Sequence, residues 1–503
     1  MRSKRQNRDE HRVQDFLWPA RGKVQKRALP FMLISALVLG GCGVRVVPEG
    51  YQENARDEHA LVSTDPSKQV VLNIADWSDS TKEQREALNR QFEADHPNVK
   101  INYTTLTQAQ FNETVASGIR SGNAPDLFPL PSNTDLQTAV QEGWYLPLDL
   151  YLDQDFFEQF VPEAYQESIT MMDGTCYILP ESREIPSVMM FYNKDILDEC
   201  GIAPGDEPFS WEEFEMACQK ITDLSDGRYY AIAESGRQTN RIDLELRALC
   251  DLNGAALGPA DQVVLKDGKT QFDDDPAVIE TLDFYARLAD QGAFHPDSAG
   301  LSAPEARKIF EQGRAAFIVQ GSWCIPTWQK DAPDLNFGVT YLPSVDGTLD
   351  SRFEAPFTKG WMGISADSEH PDIAAEYLKA LYSYEYQSSL MKPGGFVSIR
   401  KDLGTDDIHN EPMKEYVQKA DLQSEKFPNP ISLYPGMQQV YALMQPVSPD
   451  FGSICAGILS GGRGYEAELK AYNEKLMTAL SRAVEAAKSY TGITLEDFDE
   501  SAG

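Results

Sequence analysis

The chain is poor in basic residues: 45 lysines and arginines face 78 acids in 503 residues, for a formal net charge of −33. Nucleic-acid binders need clustered cations to displace phosphate counterions, so this balance excludes that class. No GxxxxGK[ST] or GxGxxG loop is present, which removes the usual nucleotide cradles, and no GxSxG offers a strained nucleophile. The six histidines (His11, His59, His96, His295, His370 and His409) are isolated, with no HExxH or other tight ligand pair. Of these, His96, His295 and His370 directly precede proline and read as loop punctuation. The seven cysteines include no CxxC. Low-complexity tracts and solenoid repeats are absent too. The hydrophobic content of 42% and aromatic content of 10% nonetheless exclude a disordered chain and suffice for two to four domain-sized units.

The longest apolar run is short. Ala28 to Leu39 is apolar apart from Ser35 and follows the basic Arg21–Arg27 stretch. About a dozen residues cannot span a bilayer that needs roughly 20, so this is the h-region of a signal peptide occupying residues 1–41. It ends in Leu39-Gly40-Gly41-Cys42, which resembles a bacterial lipobox, and the resemblance implies that Cys42 is lipidated and becomes the mature N-terminus. Residues 1–41 hold nine basic and three acidic side chains, so the remainder carries −39. Residues 42–68 lack apolar periodicity and read as a flexible tether. The expected location is the extracytoplasmic face of a bacterial membrane, with the lipid as anchor. The other six cysteines are widely spaced in a body that needs no staples, and are expected mostly as buried free thiols.

Period-2 and period-3.6 patterns alternate along the body. Strands are predicted at Val70–Ala75, Val99–Thr104 and Asp126–Leu130. Each precedes a helix: one opened by a Thr81-x-x-Gln84 capping box, one by Thr107-x-x-Gln110 and stopped at Gly122, one capped by Asn133. Strand, helix, strand at this spacing predicts a parallel α/β lobe. The pattern then restarts with strands at Cys176–Leu179 and Val188–Tyr192 and a helix capped by Ser210-x-x-Glu213. Further helices are predicted at Pro276–Gln291, Pro304–Gln312, Pro371–Tyr384, Pro412–Ala420 and Tyr465–Ala487, and strands at Ala315–Val319 and Phe337–Tyr341. Asp273-Asp274-Asp275-Pro276 reads as helix-cap chemistry, and the Gly461–Gly464 loop as the start of the last helix. Lobed α/β chains take ligands in the cleft between lobes.

Several segments, in order, resemble the family 1 extracellular solute-binding proteins of ABC importers, the maltose-binding-protein-like group. They are Ser121-Gly122-Asn123-Ala124-Pro125-Asp126-Leu127-Phe128, Gly143-Trp144-Tyr145-Leu146-Pro147-Leu148, Phe191-Tyr192-Asn193-Lys194-Asp195-Ile196-Leu197 and Ser210-Trp211-Glu212-Glu213-Phe214. Phe310 to Phe317, Gly321-Ser322-Trp323, Phe337-Gly338-Val339 and Gly360 to Ser365 follow. The resemblance implies an α/β, two-lobed, periplasmic-binding-protein-like type II fold, with a hinge and a central ligand cleft. The lobes are expected at 69–183 plus 358–408 and at 186–355 plus 412–490, with a tail over 491–503. The implied activity is capture of a solute, a mono- or oligosaccharide first, by hinge closure and delivery to an ABC permease. No catalysis, metal or cofactor is expected, and the chain is expected to be monomeric. The alternatives left open are a carbohydrate-active enzyme using a carboxylate pair, and a polyamine or other-solute receptor or sensor of the same fold.

A sugar site needs aromatic faces for the C–H face of the ring and planar polar groups for its hydroxyls. Trp77 follows the first strand; Trp323 and Trp361 match positions that line the cleft in the resembled family, and Tyr434 resembles an aromatic reaching it from the C-terminal region. The expected polar contacts are Asn133 after the third strand, Arg183 and Glu184 at the first crossover, and Gln238 and Asn240 in a polar loop beside Arg237 and Arg241. Trp144, Trp211, Tyr192 and Phe310 are expected in the core, and Asp126 in a turn.

Overall fold

The computed structural model describes residues 68–77, 81–132, 134–260, 262–355, 359–392, 396–426, 434 and 436–499. Cys42, the signal segment and the 42–68 tether up to residue 67 lie outside the described residues, as does Asn133.

The first sheet begins as its periodicity dictates. Val70–Asp76 (β1) pairs in parallel with Val99–Thr105 (β2) and with Leu127–Pro129 (β3). The intervening helices are Lys82–Asp95 and Gln108–Ser121. Thr107 and Gln110 make the full capping box, and Gly122 ends the helix in the left-handed conformation at φ 67°. The Thr81–Gln84 box does not form, because Thr81 has no side-chain cap bond to its helix. Asp135, accepting from Thr138 N at 2.7 Å, caps Leu136–Gln141, the role assigned to Asn133.

The sheet is then completed from far away in sequence. A small hairpin, Met171–Met172 (β4) with Thr175–Cys176 (β5), precedes Ile178–Leu179 (β6). That last strand, within the 69–183 span expected for the first lobe, closes the first sheet. The order is β2-β1-β3-β12-β6, where β12 is Met362–Ile364 and runs antiparallel to both β3 and β6. The sheet is therefore mixed rather than wholly parallel. Asp126 does more than shape a turn: Oδ2 accepts from Asn73 N at 2.8 Å and Oδ1 from Ser368 Oγ at 2.7 Å, which locks β1 to the segment after β12.

The second sheet has Met189–Asn193 (β7), Tyr230–Ile232 (β8), Ala315–Gln320 (β9) and Phe337–Thr340 (β10), in the order β10-β7-β9-β8. β7 runs antiparallel to β9 and β10, while β8 runs parallel to β9. The chain passes from the first sheet to the second between β6 and β7 and returns between β10 and β12. On the return, Phe353–Ala355 (β11) pairs in parallel with Ser424–Lys426 (β13).

Each sheet carries its own apolar core. Leu72, Ile74, Leu127, Met362 and Tyr377 belong to the first, and Phe191, Ile232, Phe317, Trp328 and Leu480 to the second. Trp144 and Phe310 are buried, Trp211 stacks on Phe284 at 4.6 Å, and Tyr192 is half-buried over Gly338. A Cβ on Gly338 would lie 2.5 Å from Tyr192 Cζ, so only glycine admits that ring. All six described cysteines are buried and free, and burial pushes the Cys324 thiol up to about 12.

The structure departs from the periodicity reading mainly through helix Thr239–Leu252, which begins within the polar loop expected around Gln238 and Asn240. Its buried face carries the apolar stripe Ile242, Leu246 and Leu249, interleaved with the buried charges Arg241, Glu245, Arg247 and Asp251. Helix Pro276–Asp290 is capped by Asp275, which accepts from Ala277 N at 2.9 Å. The Gly461–Gly464 loop terminates Phe451–Leu459: Arg463 is spent on the Ile458 and Gly462 carbonyls and on Asp290.

Candidate functional site: the facing ends of two sheets

Strand direction gathers the candidate residues onto one edge of each sheet. In the first sheet, Asp76 and Trp77 end β1, Leu130 follows β3, Trp361 precedes antiparallel β12, and Glu181 follows β6. Backbone bonds hold this edge: Leu106 N to Asp76 O at 2.9 Å, Leu130 N to Trp361 O at 2.9 Å, and Trp361 N to Leu179 O at 3.1 Å. In the second sheet, Glu234 and Ser235 follow β8, Gly321 to Trp323 follow β9, and Ser187 precedes antiparallel β7. Tyr416 crosses this edge, its hydroxyl donating to Pro186 O at 2.7 Å and to Gln320 O at 3.3 Å.

On the first edge, Trp77 is half-buried, with its ring edge-on to Phe111 at 4.9 Å. Trp361, expected to line the cleft, is 5% exposed and belongs to the core. Its face is occupied from within the chain, by the Arg85 guanidinium 4.6 Å from the ring centroid. Arg85 is fully buried: Nε donates to the Tyr386 hydroxyl at 2.8 Å, Nη2 to Glu181 at 3.3 Å, and Nη1 lies 3.8 Å from Asp76. Burial lifts the Glu181 carboxyl to about 7 against the opposing pull of Arg85, with Asp76 adding to the rise. A signal for this cluster was present in helix Lys82–Asp95, where Arg85 and Asn89 share the buried face of Phe92.

At the first crossover the two charges do not pair with each other. Arg183 pairs with Asp421, and its amide donates to Val397 O at 2.8 Å. The Glu184 carbonyl accepts from Lys426 Nζ at 2.9 Å. Burial raises the Glu184 carboxyl, opposed by Lys359 and Lys426. On the second-sheet side, Asp251 Oδ2 accepts from Glu354 N of β11 at 3.1 Å, and burial lifts this carboxyl to about 7.

On the second edge Trp323 is 47% exposed, and its ring lies back over Gly321. A Cβ on Gly321 would sit 2.0 Å from Trp323 Cζ3, which is the physical content of the Gly-Ser-Trp motif. The Arg241 guanidinium stands 5.5 Å from the Trp323 centroid. Gln238 precedes the helix and uses its amide oxygen to accept from Ala303 N at 3.2 Å, a clamp on helix Ala303–Glu311. Asn240 is exposed in the first helical turn rather than in a loop. Tyr434 is 37% exposed, and its carbonyl accepts from Met437 N at 3.0 Å. Thus Trp77 and Trp323 offer ring surface at strand ends, Trp361 does not, and Arg241, Glu234 and Glu245 were not anticipated as site residues. Among the described residues, no group of three or more His, Cys, Asp or Glu could hold a metal ion. No described helix is long and apolar enough to cross a membrane.

Two α/β lobes linked by crossovers, with aromatic and charged side chains at strand ends, define a lobed solute-binding protein. The profile of the bacterial extracellular solute-binding proteins matches residues 77–388, and the chain belongs to that family. It is an extracellular solute-binding protein of the ABC importers, a class of binding proteins rather than enzymes. A binding protein of Brucella abortus is 23% identical over 363 residues, covering 72% of this chain and 82% of its own length. The diacetylchitobiose binding protein of Streptomyces coelicolor is 22% identical over 377 residues, covering 74% and 82%. The solved ABC substrate-binding protein of Listeria monocytogenes in complex with cycloalternan superimposes with a TM-score of 0.57 at 17% identity, covering 85% of this chain and 100% of that one. This likeness establishes the two-lobed fold.

Proposed function

We propose that the chain is a lipid-anchored receptor, held at the membrane through Cys42, that captures a saccharide between its lobes and hands it to an ABC permease. The lobes are taken as 69–183 plus 358–408 and 186–355 plus 412–490, working as a monomer. The observation that carries the sugar assignment is the exposed ring of Trp323, held open at a strand end by Gly321. An apolar ring face beside a guanidinium matches the amphipathic surface of a pyranose. The names of the relatives agree, since one is a diacetylchitobiose binding protein and one solved structure holds cycloalternan. Trp77 supplies a second, smaller ring surface at the corresponding end of the other sheet. Closure is a hinge motion, which the solute drives by contacts available only when the lobes meet.

The test is a thermal-shift screen of the detergent-solubilised full chain against neutral and acidic saccharides, polyamines and sn-glycerol 3-phosphate. A ligand at about 100 times its Kd adds roughly 2.7 kcal/mol and should raise the midpoint by several degrees. A saccharide hit is expected. A polyamine hit with no saccharide hit overturns the sugar assignment.

A further inference from the structure

The segment expected as a C-terminal tail is folded as far as residue 499. After helix Tyr465–Thr491, Ile493 is buried, and Leu495–Phe498 forms a single 3₁₀ turn across which Thr494 donates to Asp497. The Phe498 carbonyl accepts from Leu265 N at 2.7 Å, and the Asp499 carboxylate accepts from Gly268 N. Phe498 is 3% exposed and meets the Tyr441 ring edge-on at 5.8 Å. The Tyr441 hydroxyl in turn accepts from Val263 N at 3.1 Å. Residues 492–499 therefore strap the short helix Met437–Leu443 to the 263–270 loop.

That helix is pinned at its start as well. Gly436 stands at φ 99°, and a Cβ there would fall 2.9 Å from Thr491 Cβ. Met437 and Val440 are buried in the second core. With 3.6 residues per turn, Gln439 and Tyr441 point to nearly opposite sides of the helix. Tyr441 faces the strap; Gln439 faces the first lobe, where its Nε2 donates to Gln137 Oε1 at 3.4 Å. Gln137 stands on helix Leu136–Gln141, fixed by the Asp135 cap and by buried Leu136 and Ala139. Two primary amides can pair twice, each donating an N–H to the other's oxygen. The structure makes one of these bonds, at long range, while Gln439 Oε1 is enclosed with no donor among the described residues. An enclosed carbonyl oxygen without a donor is costly, so bringing the lobes closer and completing the pair is favourable.

We propose that Gln137 and Gln439 form a latch between the lobes, completed on closure, and that the C-terminal strap holds its second-lobe half in place. This rests on the hinge-closing reading above and adds what favours the closed state. Neither glutamine belongs to a crossover, so the latch acts on the closed arrangement rather than on the hinge. Phe498 and Tyr441 are positioning residues that act through Gln439. Losing a neutral hydrogen-bonded pair should shift the closed-to-open ratio, and with it saccharide affinity, about 2- to 10-fold.

The experiment uses the full chain with spin labels on Gln141→Cys and Ala442→Cys, exposed positions one turn beyond each glutamine. The six described native cysteines are buried, which keeps the labelling specific. Label distances are compared between this parent and its Gln137→Ala, Gln439→Ala, double-glutamine and Phe498→Ala variants. The expected result is a short-distance population that falls about 2- to 10-fold in every variant, and no further in the double variant than in either single one. Each neutral saccharide that raises the wild-type midpoint should lose affinity by the same factor. A population unchanged by both glutamine substitutions overturns the latch. So do affinity losses that multiply in the double variant, since they mean separate contacts with the sugar. Phe498→Ala without effect overturns the strap. If that variant melts more than a few degrees lower, Tyr441→Phe, which removes only the hydroxyl used by Val263 N, takes its place with the same outcomes. No saccharide hit overturns the sugar assignment alone, because the label distances need no solute. Labels that no panel solute brings together overturn the hinge-closing reading itself.

Discussion

In the first lobe the Arg85 guanidinium lies 4.6 Å from the Trp361 centroid; in the second, Arg241 lies 5.5 Å from that of Trp323. The chemistry of the two pairs is the same, but Trp361 is 5% exposed and Trp323 is 47% exposed. Arg85 is tied to Asp76, Glu181 and Tyr386, so the first pair is a sealed structural clamp joining helix Lys82–Asp95 to the sheet edge. In the second pair Arg241 Nη2 donates to Ser187 O, and the half-exposed Trp323 leaves a ring face at a strand end. An arginine on a tryptophan therefore leaves ring surface free only where burial leaves the ring open.

This contrast can be broken at its strongest point first. Arg85→Ala leaves the buried acids Asp76 and Glu181 without a cation and should cost about 5 kcal/mol, read as a large fall in the calorimetric midpoint. A loss under about 1 kcal/mol would mean that the sealed clamp is not structural. Next, Trp361→Ala should destabilise by about 3–4 kcal/mol through the cavity it leaves. Trp323→Ala should change stability by less than about 1 kcal/mol while weakening saccharide binding at least tenfold. If these two responses were exchanged, the assignment of core and cleft would be reversed.

A further effect is in pH. Glu181 holds its proton up to about 7 in the folded chain, whereas an unfolded glutamate loses it near the ordinary value of 4.5. The folded state binds more protons between these values, so stability falls as pH rises from 5 to 7, by about 2 kcal/mol for this group. Glu181→Gln should flatten that part of a melting-midpoint profile against pH. Asp251→Asn should do so for the second lobe, where burial likewise lifts the carboxyl to about 7. Profiles unchanged by either substitution would contradict the buried-acid assignment.

Much of the first lobe was legible because its information is local. Period-2 runs gave β1, β2 and β3, and the Thr107–Gln110 box appears where its residues stand, as the Ser210–Glu213 box does in the second lobe. The antiparallel pairing of Met362–Ile364 with Leu127–Pro129 was not legible, since it joins segments more than 200 residues apart. Helix Thr239–Leu252 was missed because charges are interleaved with its apolar stripe of Ile242, Leu246 and Leu249, and the partners that let those charges be buried come partly from other segments: Ser187 O for Arg241, and the Leu257 and Gly258 carbonyls beside Asp243 for Arg247. The same limit applies to the site. Gly321 and Trp323 were readable as a motif, and Gln238 as polar, but its role as a clamp on Ala303 needed the fold.

By itself, the sequence determined the family, the alternation of strands and helices, and the tryptophans from which a cleft would be built. These depend on residue type and spacing along the chain. Only the tertiary structure decided that Trp361 is covered and Trp323 is open, that Arg183 answers Asp421 rather than Glu184, and that Glu234, Arg241 and Glu245 are buried. Burial and charge compensation are set by which distant segments meet, and no local pattern encodes that meeting.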